Sequence, residues 1–205
     1  MMENRARIAV FISGGGSNLK ALIDATKCGI LGGQIVFVVS SRKKAFGLTY
    51  ARDENIETFV FKKKNYESPE QAADDLLNRL DAHKVEYIAL AGYMSLLPAN
   101  VVRAYRGKIT NIHPALLPKY GGKGMFGHHV HEAVLASGDT ESGPSVHLVD
   151  EIYDNGRILG QARVPVQPDD TVETLSARVI KQEHKLYARI LNKLIRGEFD
   201  SSDDT

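Results

Sequence analysis

Five short apolar runs recur along the first half of the chain: RIAVFI (7–12), QIVFVVS (34–40), ETFVF (57–61), YIALAG (87–92) and KITNIH (108–113). Each is long enough for a strand and too short for an ordinary helix, and most lack the polar alternation of a half-solvated strand. The stretches between them have helical spacing. NLKALIDATKCG carries Leu19, Leu22, Ile23 and Thr26 on one face, with Gly29 as a stop. A second helix begins near Ala45 and another lies around PANVVRAY. SPEQAADDLLNRLDAH offers Ser68 as N-cap and Pro69 as first helical residue, turning Ala72, Leu76, Leu77 and Leu80 inward. Strands alternating with helices imply right-handed crossovers and a parallel sheet. The fold class is therefore α/β, a Rossmann-like, mostly parallel sheet flanked by helices.

After residue 113 the rhythm changes. A glycine-rich loop, YGGKGMFGHH, leads to a short helix near VHEAVLAS. SVHLVD (145–150) and RILGQARVPV (157–166) read as a hairpin on the sheet edge, and 171–197 as a long amphipathic terminal helix. Residues 198–205 read as a frayed tail. With no repeat and no linker-like stretch, 1–205 is expected to be a single domain.

Composition narrows the class. The formal net charge is +1, from 26 Lys and Arg against 25 Asp and Glu, so no nucleic-acid partner is expected. Cys28 is the one cysteine, which suits a reducing compartment, and as a lone helical cysteine it reads as a small buried residue. The N-terminal apolar run is too short for a leader or a membrane span. The expectation is a cytoplasmic protein acting on small molecules without a membrane partner, as monomer or homodimer.

Two motifs carry chemistry. SGGGSNL (13–19) follows the first strand and opens the first helix, where glycines let an anion approach free backbone N–H groups. Leu19 breaks the dinucleotide pattern G-x-G-x-x-G, and the G-K-[ST] of a P-loop is absent. A phosphate-monoester cradle remains, against the plainer reading of a tight turn whose Ser17 or Asn18 caps the helix. The basic run SSRKK after the second strand reads as a solvated charge run, yet it keeps an NADP-dependent reductase as a remote alternative.

The second motif is ITNIHPALLP (109–118). Asn111 and His113 are two apart on a strand and so project to one side, and Pro114 and Pro118 stiffen the exit. His113 falls at the carboxyl end of a parallel strand, on the same edge as the glycine turn, where open α/β sheets bind ligands. VDEIYDNG (149–156) supplies Asp150, Glu151 and Asp154, any of which could hold the imidazole. HHVH (128–131) has no carboxylate or cysteine at ligand spacing, so no metal is expected, and His147 reads as structural or supporting.

SGGGSNL, AGYMSLL, NIHPALLPKY, SVHLVDEIYDNG and the QEHKLY helix stand in the order and spacing of the phosphoribosylglycinamide formyltransferases, which the chain resembles from about residue 6 to 197. NIHPALLP alone marks the wider folate-dependent formyltransferase superfamily. The resemblance implies formyl transfer from 10-formyltetrahydrofolate, as co-substrate, to the amine of glycinamide ribonucleotide in purine biosynthesis. It implies Asn111, His113 and Asp154 as catalytic residues, and Gly16, Ser17, Asn18 and Glu183 as the ribonucleotide site. It also implies Met94, Leu96, Leu97, Asn111, Glu151, Ile152 and Tyr153 as folate contacts. Two departures stand out: the 120–129 loop is longer than in many relatives, and NYESPEQ replaces a segment in which some relatives carry a folate-binding arginine. The nearest rival activity is a 10-formyltetrahydrofolate hydrolase, with water as acceptor.

Overall fold

The computed structural model describes residues 5–199. β1 (Ala6–Ile12), β2 (Gly33–Ser40), β3 (Glu57–Val60), β4 (Tyr87–Leu90) and β5 (Ile109–His113) are parallel, linked by α1 (Ser17–Lys27), α2 (Gly47–Asp53), α3 (Pro69–Ala82) and α4 (Ala99–Ala104). α5 (His128–Ser137) follows the long loop. β7 (Ser145–Leu148) and β8 (Ile158–Gln161) then extend the sheet antiparallel, giving the order β3-β2-β1-β4-β5-β7-β8. The terminal α6 (Val172–Ile195) lies against α1 and α5.

The apolar runs are buried on both faces, as their composition requires. Ile8, Val10 and Ile12 of β1 pack with α1 and α6, while Ala9 and Phe11 face α3 and α4. Ser68 caps α3, accepting the Gln71 N–H at 3.1 Å, with Pro69 next to it.

Several expectations are corrected. Cys28 is exposed, because it is the C-cap residue of α1 and not part of its inward face. Leu77 is half-buried, and Ala73 takes the inward place beside Ala72. The run 157–166 breaks after Gln161. Its end, β9 (Val164–Pro165), pairs with β6 (Glu141–Ser142) in a separate two-stranded sheet. In the expected tail, Phe199 packs on the core; residues 200–205 lie outside the described residues.

Candidate active site

The glycine turn leaves β1 and enters α1 through Gly16, whose φ of 76° lies in the left-handed region. A Cβ there would lie 2.5 Å from the Cα of Gly47, so two backbones cross with no side chain between them. The Gly47 N–H donates to the Gly14 carbonyl at 3.0 Å and ties the crossing. No side chain caps α1, so neither Ser17 nor Asn18 does the plain capping job. The first N–H groups of the helix stay available to an anion.

Asn18 turns into the protein. Its amide Nδ2 donates to Oε2 of Glu183 at 2.6 Å, and its Oδ1 is buried with no hydrogen-bond partner. Glu183, on α6, is only 6 % exposed. Burial pushes its carboxyl above the usual range, and the Asn18 hydrogen bond opposes this only in part. Gly16, Ser17, Asn18 and Glu183 are thus neighbours.

Alternation along β5 sends Thr110 and Ile112 toward α6, where Tyr187 meets Thr110 at 3.2 Å. Asn111 and His113 share the other face. Asn111 Nδ2 lies 3.0 Å from His147 Nε2 and 3.4 Å from Asp154 Oδ1. His113, 3 % exposed, places Nε2 2.8 Å from the carbonyl of Tyr120 and Nδ1 3.6 Å from Asp154 Oδ2. A carbonyl can only accept, so Nε2 carries a hydrogen and Nδ1 is the nitrogen that titrates. Asp154 Oδ2 also accepts the Gly122 N–H at 2.9 Å.

The three acidic residues of the turn separate cleanly. Asp150 accepts from the Ile152 N–H at 2.8 Å and the Asn155 amide at 3.1 Å, holding the turn itself. Glu151 pairs with Arg103 at 3.2 Å. Only Asp154 reaches the two β5 side chains. Burial alone would raise its pKa, but His147, His113 and the Gly122 N–H outweigh burial and leave it lowered. For His113 the balance runs the other way. Burial lowers its pKa more than Asp154 and the Tyr120 carbonyl raise it, so the resting imidazole is neutral near pH 7.

His147 is the member of this group that the chain's spacing did not single out. The antiparallel register sets it directly opposite Asn111. Its Nδ1 donates to the Leu148 carbonyl at 2.7 Å, which turns Nε2 toward Asn111 and Asp154. Pairing NIH with SVHL in antiparallel register would have found it.

Beside this group a cavity of about 510 Å³ is lined by Phe61, Tyr93, Met94, Leu96, Tyr153 and the lysine run 62–64. Met94 and Leu96 are exposed, unusual for such side chains, and Ser13 Oγ holds the Met94 N–H at 2.7 Å. Leu97 is 7 % exposed and packs in the core, apart from the wall that Met94 and Leu96 form. Glu151 and exposed Ile152 do not line this cavity.

The histidine run also differs from its sequence reading. His131 is buried and its Nδ1 has no partner, whereas His128 and His129 are exposed. Glu132 does complete a possible ligand set with them: one atom from each lies within 4.8 Å of the others. The i, i+3 and i, i+4 spacings on one helix bring it there. Among the described residues, no helix is long and apolar enough to cross a membrane.

A profile of the formyl transferase family matches residues 6–191. The chain is 45% identical over 190 residues to a chloroplastic phosphoribosylglycinamide formyltransferase of Vigna unguiculata, covering 93% of this chain and 61% of that one. It therefore spans about three fifths of that relative's length. A phosphoribosylglycinamide formyltransferase of Escherichia coli is 40% identical, over 93% of this chain and 87% of its own. Among solved structures, glycinamide ribonucleotide transformylase 1 from Symbiobacterium toebii superposes with a TM-score of 0.90 at 34% identity, covering 97% of this chain and 92% of its own.

Proposed function

Because the chain belongs to the formyl transferase family, we infer that it moves a formyl group from 10-formyltetrahydrofolate to the amine of glycinamide ribonucleotide, a step of purine biosynthesis. The observation that carries this reading is the meeting of Asn111, His113 and Asp154, in a sheet that also carries an uncapped helix N-terminus. β1 and β5, which deliver the two halves, flank the same strand, β4. The ribonucleotide phosphate sits on the Gly16–Ser17–Asn18 turn, with Glu183 beside it. The donor lies along Met94, Leu96 and Tyr153.

The neutral amine attacks the formyl carbon. A C–N bond forms, the carbonyl oxygen takes the negative charge, and the attacking nitrogen becomes cationic. Asn111 donates to that oxygen; one such donor is commonly worth about 10²–10³ in rate. A proton leaves the attacking nitrogen and reaches the folate nitrogen, whose bond to carbon breaks as the carbonyl reforms. His113 relays this proton. It starts neutral, becomes cationic as Nδ1 takes this proton on the Asp154 side, where the carboxylate stabilises the cation, and then gives its Nε2 hydrogen to the folate nitrogen. For the imidazole to meet substrate, Tyr120 must release Nε2, so the loop at 119–127 shifts during the cycle.

No step uses a metal. The test is tetrahydrofolate release from 10-formyltetrahydrofolate by the purified protein, with and without glycinamide ribonucleotide, in the presence of a chelator. Release only with the ribonucleotide is expected. Release without it would mark a hydrolase, and no release in either case would overturn the reading.

A further inference from the structure

The outward face of α5 carries a set of donor atoms that formyl transfer does not use. His128 and His129 open the helix after Gly127, and Glu132 follows one turn later. One donor atom from each lies within 4.8 Å of the other two, and all three side chains are exposed, so an ion can reach them without any part of the fold opening. Their contacts fix their aim. Glu132 Oε2 is 3.1 Å from His129 Nδ1, the His128 and His129 rings lie 4.0 Å apart, and Phe126 meets the His129 ring edge-on at 5.5 Å between centroids. The inward face of the same helix carries Val130, His131 and Val134, all buried.

Two imidazoles and a carboxylate are donors suited to a divalent ion of intermediate softness, zinc above all. Zinc holds such atoms at about 2.0–2.2 Å, which sets neighbouring corners of a tetrahedron about 3.4 Å apart. The His129–Glu132 pair already stands near that spacing, and the rest of the set comes within it by small rotations of exposed side chains. Magnesium and calcium want several oxygen donors, and this set offers one carboxylate. The place of the set gives it consequence. α5 anchors the loop at 119–127, whose Tyr120 carbonyl holds His113 Nε2 at 2.8 Å. Gly122, Gly124 and Gly127, with φ of 96°, 91° and 56°, give that loop its freedom.

We propose that His128, His129 and Glu132 bind one zinc ion, and that this ion restrains the loop at 119–127 from the helix end that anchors it. The ion takes no part in the chemistry. It ties the first turn of α5, where the backbone N–H groups lack partners within the helix and the end frays, to the second turn. A tied helix end moves less, and the glycine-rich loop that leaves it lifts from His113 less often. Zinc is then a brake on turnover. The brake rests on the formyl-transfer reading, in which Tyr120 must release Nε2; the metal site does not.

Calorimetric titration of the full chain with zinc chloride, in a buffer free of chelating agents, tests the site. One ion per chain is expected, and magnesium chloride should give no binding heat. His129→Gln and Glu132→Gln should each weaken zinc binding about tenfold or more, since even the outer partners of a metal ligand are commonly worth that much. The double variant should lose it. Amide hydrogen exchange across 121–127 should slow on adding zinc to the parent and stay unchanged in the double variant. No binding by the parent, or binding that persists in the double variant through exposed Cys28 or the His113–Asp154 pair, would overturn the site. Exchange that bound zinc leaves unaltered would overturn the restraint. Turnover, run in parallel, separates this proposal from the catalytic reading. A zinc-dependent fall in tetrahydrofolate release, absent from the double variant, is expected. Zinc bound by these residues in a protein that releases no tetrahydrofolate under any condition sinks formyl transfer and spares the site; full release with no zinc binding does the reverse.

Discussion

Asn18 and Glu183, separated by 165 positions, meet in a buried hydrogen bond of 2.6 Å that joins the glycine turn to the terminal helix. Glu183→Ala would leave the Asn18 amide buried without an acceptor, at a cost of about 1–3 kcal/mol. Glu183→Gln keeps an acceptor and removes a buried charge. The Gln variant is expected to match or exceed the parent in urea midpoint at pH 8, while the Ala variant falls below it. The sign follows from the raised carboxyl pKa: its stabilising contribution is present at acid pH and is lost as pH rises through the folded-state value. Both variants should raise the KM for the ribonucleotide.

His113→Ala and Asp154→Ala should each lower kcat by about 10²–10⁴, the usual range for proton relay, with much smaller changes in either KM. Asn111→Ala should lower it by about 10²–10³. Steady-state kinetics on variants with parental circular dichroism decides this. A folded His113→Ala protein with near-parental kcat would remove the imidazole from the mechanism.

The histidines predict an acid sensitivity. Burial lowers the pKa of His113, His131 and His184 below the ordinary 6.5. Between the lowered folded values and 6.5 the unfolded chain binds more protons, so stability is full above that window and falls as pH drops through it. Urea midpoints at pH 5 should lie below those at pH 7.5. His131→Gln should flatten the difference, and an unchanged slope in that variant would exclude His131 as a contributor.

Gly16 and Gly15 make a paired test of the anion turn. Gly16→Ala forces a Cβ to 2.5 Å from Gly47 Cα at a φ of 76°, and should cost about 2 kcal/mol or more. A Cβ on Gly15 meets nothing within 4 Å, so Gly15→Ala should leave the melting temperature close to the parent's. Equal loss in the two variants would contradict the crossing of backbones as the reason for glycine at 16.

Much of the frame was legible because local rules and the global fold agree in it. Apolar runs that cannot be amphipathic must be buried on both faces, and Ser68–Pro69 states a helix start in two residues. Asn111 and His113 were legible for the same reason, since period-two alternation fixes their common face. The rest depends on contacts distant in the chain. No spacing argument pairs Asn18 with Glu183, or chooses Asp154 over Asp150; the family resemblance suggested both, and the hydrogen bonds distinguish them. The β6–β9 pair was missed because a strand of two residues has no period to detect. Cys28 was misplaced by one helical position, enough to move it from the inward face to the solvent.

The crossing of Gly16 over Gly47 makes the two sides of the cleft unequal in stiffness. On the proposed reading the ribonucleotide phosphate would rest on backbone that has no rotamers to change and is held tightly at Gly16. The donor would lie against the exposed Met94 and Leu96 side chains and near the loop whose Tyr120 carbonyl holds His113. Tolerance is therefore lopsided: altered donors will find walls that adapt, while an acceptor with a displaced phosphate will find none. If formyl transfer is the activity, efforts to broaden its substrates would do better to start from the donor side and leave the glycine crossing untouched.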